Sequence, residues 1–167
     1  MSKTNICVIG LSQQFADDVC NELSKRLDMY YANIEKLIEF ELIDIDKMQE
    51  LCGIEYFHKQ ELSIVKRVCT YENTLINLNF NKLNSDNILE IVSNNCLIIY
   101  LRIDRKNYKK QMFFEELGDN EQKINLDVYF DRDNIVKNIS DIVIDCLDVN
   151  IGLIVDDIVD KILKYYS

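Results

Sequence analysis

A three-layer α/β/α domain built on a five-stranded parallel sheet is the fold this sequence predicts. Apolar, β-rich runs alternate along the chain with stretches of helical periodicity, and strands separated by helices imply right-handed crossovers that cover both sheet faces. The chain has 167 residues, of which 48% are hydrophobic, enough for one domain with a substantial core.

The first run, Thr4 to Ile9, reaches Gly10, and a helix over Gln13 to Leu27 follows with Val19, Cys20, Leu23 and Leu27 on its apolar face. A shorter strand surrounds Tyr30 and Tyr31. Helices are expected over Ile34 to Leu42 and Ile54 to Cys69, then a strand over Thr74 to Phe80. The second half repeats the alternation: helix Asn84 to Val92, strand Cys96 to Ile103, helices Lys106 to Leu117 and Arg132 to Asn138, strand Asp141 to Asp145, and a last helix Ile151 to Tyr165. Phe113 to Asp133 has the weakest periodicity and the densest acidic charge, and reads as a mobile excursion. With no Gly-, Ser- or Pro-rich linker and no internal repeat, residues 1–167 form a single domain.

The net charge of -10 and pI of about 4.6 argue against nucleic acid or an anionic membrane as the main partner. The short apolar run at the amino terminus is too brief for a signal peptide and no later run reaches the length of a membrane span, so a cytoplasmic location is expected. Six scattered cysteines, without CxxC spacing or pairing to the single histidine, read as reduced core thiols, with no metal site. There is no proline, and four glycines cannot build a glycine-rich phosphate cradle.

Five segments, in order and spacing, carry a resemblance to the shikimate kinase family, a branch of the nucleoside-monophosphate-kinase-like P-loop fold. "VIGL" with "NELSKRL" resembles its first strand, P-loop and first helix; "YYANIEKLIE" resembles F-x-D-x-D-x-x-I-E; "GIEYFHKQE" resembles G-E-x-x-F-R-x-x-E. "LIIYLRIDRKNYKKQM" resembles the fourth strand with the helix entering the lid, and the stretch from Arg132 to Leu163 resembles the R-x-x-x-Y-x-x-x-A-D ending and last helix.

The departures fall where that family touches its ligands. GxxxxGK[ST] laid on Gly10 finds Phe15 for the second glycine, Ala16 for the lysine and Asp17 for the magnesium-binding Ser/Thr. Phe15 fills phosphate space, Ala16 removes the cation, and Asp17 with Asp18 adds carboxylates; one charge reversal at ~4 Å is worth on the order of 4 kcal/mol at an intermediate effective dielectric, roughly three decades of affinity. As structural residues, Ser12 is a helix cap and the two aspartates favour the first turns of the helix.

Asn33 and Glu35 fall on the family's two aspartates; Glu35 keeps the chemistry of a general base, and Asn33 lacks the metal ligand's charge but is a good helix cap. His58 replaces an arginine that grips the substrate carboxylate and Ile54 a glutamate, while Phe57 and Glu61 match. Arg132 fits a second carboxylate-binding arginine, but its accompanying tyrosine is Val136. Asn77, Leu78 and Asn79 stand in place of three glycines. In the lid, about 105–131, Gln111 replaces an arginine, and Glu115, Glu116, Asp119 and Glu121 make acidic a segment that should be basic.

These substitutions predict a catalytically inactive shikimate-kinase-like protein, without ATP or magnesium as cofactor, acting through a protein partner. The alternatives are a small-carboxylate sensor built on Asn33, Glu35, His58, Glu61, Asn79 and Arg132, and a divergent kinase with phosphate contacts from elsewhere.

Overall fold

The computed structural model describes residues 3–10, 13–42, 44–79, 86–103, 130–147 and 150–167. Along these the order is β1 (Asn5–Gly10), α1 (Gln13–Leu27), β2 (Tyr30–Asn33), α2 (Ile34–Leu42), α3 (Ile45–Cys52), α4 (Ile54–Cys69), β3 (Thr74–Asn79), α5 (Asp86–Asn95) and β4 (Cys96–Arg102), followed by α6 over 130–139, β5 (Ile142–Asp145) and α7 (Ile151–Tyr166). The strands form one sheet in the order β2-β3-β1-β4-β5, and every pairing is parallel.

The central strands explain the near-continuous apolar runs. Every residue of β1 and β3 is buried, and so are the first six of β4, because helices cover them from both faces. On one face α1 packs against α7, and on the other α4 packs against α5. The apolar stripe of α1 is Phe15, Ala16, Val19, Cys20 and Leu23; that of α7 is Ile154, Val155, Ile158 and Ile162. Asn150 caps α7 by accepting from the Leu153 amide at 3.2 Å. The Arg26–Asp156 pair between α1 and α7, at 2.9 Å, is exposed and adds little.

Strand positions agree with the expectation to within a residue where described, and α1, α2 and α4 match it end to end; α5 ends three residues later than expected, and its expected start at Asn84 lies outside the described residues. The helix α3 was not among the expected elements. It has no fully buried residue, but Ile45 and Met48, three apart, are partly buried against the core. Its start is nevertheless specified: Asp44 accepts from the Lys47 amide at 3.0 Å. Gly53 separates α3 from α4 at φ 82°, a left-handed conformation that favours glycine. Cys7, Cys20, Cys69, Cys96 and Cys146 are buried as expected, but Cys52, on the exposed α3, is not. The expected helix Lys106 to Leu117 and nearly all of the lid, including Gln111, lie outside the described residues. No described helix is long and apolar enough to cross a membrane.

One buried polar side chain fastens the turn from α4 to β3 onto the start of β1. Asn5 is 3% exposed; its amide nitrogen donates to the carbonyls of Cys69 and Tyr71, and its oxygen accepts from the Thr74 amide at 3.0 Å. An apolar residue there would leave three backbone groups without this partner. Asn5→Leu should destabilise the domain by about 2 kcal/mol or more in urea melts; a change within about 0.5 kcal/mol would show that the turn is held by other contacts.

Candidate functional site

The parallel register brings the ends of three strands together. Gly10 is opposite Asn79 across the β1/β3 pair, and Asn33 is opposite Asn77 across β2/β3. A cleft of about 150 Å³ opens at this carboxyl edge, where open α/β sheets place ligands. Gly10, Ala16, Asp17, Asn33, Glu35 and Asn79 line it, together with Gln14, Lys36, Glu39 and Asn77. Phe15, His58, Glu61 and Arg132 are not among the described lining.

Only residues 11 and 12 separate β1 from α1, so Phe15 and Ala16 are already helical. Both are covered, at 8% and 2% exposure. Gly10 is needed for the approach of strand to helix: a Cβ there would stand 3.0 Å from the Ala16 Cβ and 3.7 Å from the Leu101 Cδ1.

Asp17 is where the chain concentrates its donors. Its carboxylate accepts from the Tyr31 hydroxyl, from Asn33 Nδ2 at 2.9 Å and from Lys36 Nζ at 2.7 Å. Two of these donors are on β2 and the third is in the first turn of α2. Asn33 is held in turn because its Oδ1 caps α2, accepting from the Lys36 amide at 3.2 Å. Asn77 Nδ2 donates to the Tyr31 oxygen at 3.1 Å, which leaves the phenol hydrogen for Asp17.

Burial pushes the Asp17 carboxyl up, but the hydrogen bonds from Lys36, Tyr31 and Asn33 outweigh it and hold the group below its ordinary value. Tyr31 is raised, first by burial and then by donating to Asp17, so it remains a protonated donor. Lys36 is 66% exposed and Asp17 20%, so the Coulombic part of their pair is screened by solvent. The less exposed Tyr31 and Asn33 contacts give the network its rigidity.

The other candidates are placed apart from this cluster. His58 Nδ1 is 3.0 Å from Glu61 Oε2 one turn along α4, with the imidazole 64% exposed and the carboxylate buried. Arg132 is half-buried on α6. That helix is fastened by its neighbour Asp133, which accepts from Tyr100 Oη at 2.7 Å and from Arg102 Nε and Nη2, both at 3.0 Å. Lys36 and Tyr31 are the site residues that sequence reasoning missed. Neither carried a local signal for this contact: Lys36 reads as a first-turn residue after the capping Asn33, and Tyr31 as a strand residue with a polar end.

The strand order, the helices on both faces and the cleft at the carboxyl edge define a P-loop-kinase-like α/β domain. Solved structures of shikimate kinases share it. The enzyme from Acinetobacter baumannii, in complex with shikimate, superposes with a TM-score of 0.78 at 16% identity, covering 98% of this chain and 94% of its own. That from Bacteroides thetaiotaomicron gives 0.79 at 11% identity with 95% and 98% covered, and that from Aquifex aeolicus 0.74 at 17% with 95% of each. The family model for shikimate kinase matches residues 18–164, and the chain belongs to the shikimate kinase family. The matched segment begins immediately after the span Gly10 to Asp17. No curated protein sequence matches the chain significantly.

The depressed Asp17 carboxyl has a pH consequence. Because its folded value is below the unfolded value of about 3.9, its stabilisation is complete above about pH 4 and is lost as the pH falls through the lower folded value. Asp17→Asn should therefore be less stable than the parent at pH 7, with the gap closing on acidification below about pH 4. A stability difference that is flat from pH 7 to pH 2 would show that the carboxylate's charge contributes nothing.

Proposed function

We propose that this member of the shikimate kinase family keeps the scaffold without a working magnesium-ATP site, and acts as a protein-interaction or regulatory module. The observation that carries the reading is Asp17: the position at which the P-loop motif needs a metal-binding hydroxyl holds a carboxylate already engaged by Tyr31, Asn33 and Lys36.

Its surroundings support the same reading. Triphosphate binding needs a loop of free backbone amides and an adjacent lysine. Here the helix starts at Gln13, the aromatic ring of Phe15 is covered, and Ala16 supplies no charge. The described cleft lining carries three carboxylates, Asp17, Glu35 and Glu39, against one lysine. These residues do not fit a magnesium nucleotide. The carboxylate-sensor alternative loses support from His58 and Arg132, which stand outside the cleft lining, and the divergent-kinase alternative needs cations that this lining does not supply. The partner-binding role draws on Phe40 of α2, a helix that lines the cleft, and Leu51 of α3, a helix that packs against α2 and α4; these large apolar side chains are 81% and 75% exposed.

Millimolar ATP with magnesium should leave the thermal midpoint unchanged, since only a ligand that binds the folded state raises it. A saturable rise would overturn the proposal, and shikimate phosphorylation proportional to pure protein and abolished by Glu35→Ala would establish the divergent kinase instead. Rebuilding the motif with Phe15→Gly, Ala16→Lys and Asp17→Thr together should destabilise the domain without nucleotide affinity. The Phe15→Gly change alone removes roughly 1.5 to 3 kcal/mol of burial and adds about 0.5 to 1 kcal/mol of backbone entropy cost. A triple variant as stable as the parent that binds magnesium ATP would show an intact kinase pocket lacking only its ligands.

A further inference from the structure

The donors around Asp17 converge from elements distant in sequence onto a single carboxylate, and they do so at the wall of an open cleft. We infer that Tyr31, Asn33 and Lys36 form a small-oxyanion site that the protein fills with its own Asp17 side chain; the inference rests on the reading that this cleft is not a nucleotide site.

Three features make the arrangement a site rather than a chance pairing. Each donor is oriented by a second contact or by the backbone. Asn33 is fixed by capping α2 through its oxygen, which turns its amide nitrogen toward Asp17. Tyr31 accepts from Asn77 and so presents its hydrogen to Asp17. Lys36 follows Asn33 by three residues, so the same cap that starts α2 positions its ammonium over the carboxylate. The chemistry is also complete: one cation and two neutral donors supply charge and directed hydrogen bonds to an oxyanion, and none of the three requires phosphate-binding loop geometry. Finally, the carboxylate comes from α1, an element separate from all three donors, so its removal leaves their backbone supports in place.

The ligand class is a carboxylate or phosphate group small enough to replace the Asp17 carboxylate. Any such group arriving from solution must displace Asp17, and would thereby break the tie between α1 and α2. Asp17 competes without losing the translational freedom that an external ion loses, so the resting protein is self-inhibited. Asp18, which precedes the matched family segment's second residue on the same helix, donates nothing to this set; its partner is Gln14, whose Nε2 donates to it at 3.0 Å.

Deleting the internal anion tests the site. Asp17→Ala should melt below the parent in a buffer free of small oxyanions, and formate or inorganic phosphate should raise its midpoint saturably; the two arms distinguish a carboxylate preference from a phosphate one. The parent should respond to neither, which separates site binding from general salt stabilisation. In Asp17→Ala/Lys36→Met the anion affinity should fall by about tenfold or more. Should Asp17→Ala be unfolded without anions, refolding on addition of formate or phosphate supports the site. Failure of both ions to stabilise or refold Asp17→Ala, or an equal response in Asp17→Ala and the double variant, overturns the inference. Neither result bears on magnesium ATP, whose binding to the parent is measured separately.

Discussion

One carboxylate ties the amino-terminal half of this molecule together at its cleft. Asp17 belongs to α1, Tyr31 and Asn33 to β2, and Lys36 to α2, and the contacts among them link the helix after β1 to the elements on the far side of β3. The edge strand β2 has only four residues, none of them buried. It cannot be fixed by core packing alone, so the polar network supplies what the apolar core supplies for β1 and β4. In a P-loop enzyme the corresponding position would bind a metal ion held by substrate. Here Asp17 is joined from within by Tyr31, Asn33 and Lys36.

Much of the fold was legible because parallel strands buried on both faces carry a strong local signal. β1 and β4 announce themselves as apolar runs, and α4 carries its bounds in the spacing of Phe57, Ile64, Val65 and Val68. The helix α3 was not anticipated, although Ile45, Met48 and Leu51 repeat at helical spacing; its eight residues are short, and its bounds are set by the Asp44 cap and Gly53. The site divides in the same way. That Phe15 is covered and that Asn33 caps a helix follow from composition and position. That Lys36 reaches Asp17 depends on the register between β2 and β3 and on the angle at which α2 leaves the sheet, and neither is written in a local pattern. His58 shows the converse: its partner Glu61 is one helical turn away, so that pairing was present in the spacing.

Scaffold and ligand chemistry are separable in this family member because they rest on different forces. The sheet order is maintained by apolar burial across β1, β3 and β4, to which phosphate-binding residues contribute little. Between β1 and α1 the requirement is steric: Gly10 must stay small because the Ala16 methyl approaches it, and Ala16, at the cleft wall, is itself nearly covered. A lysine at Ala16 would have to leave this contact before it could reach a ligand. Phe15 and Ala16 thus contribute to packing at the start of α1.

The relative strength of the contacts decides how such a site behaves. The Lys36–Asp17 pair is largely solvated on the lysine side, and an exposed pair of this kind contributes about 0 to 1 kcal/mol. Hydrogen bonds to a charged acceptor from half-buried donors contribute more, about 1.5 to 3 kcal/mol each, and lose most when the acceptor is removed and the donors remain. Tyr31 and Asn33 are the donors of that kind here. It follows that the geometry is set by the neutral donors and the preference for an anion by the lysine. A protein arranged in this way holds α1 and α2 at fixed separation in its resting state, and any partner or ligand that changes that separation must first compete with an acceptor that is already in place.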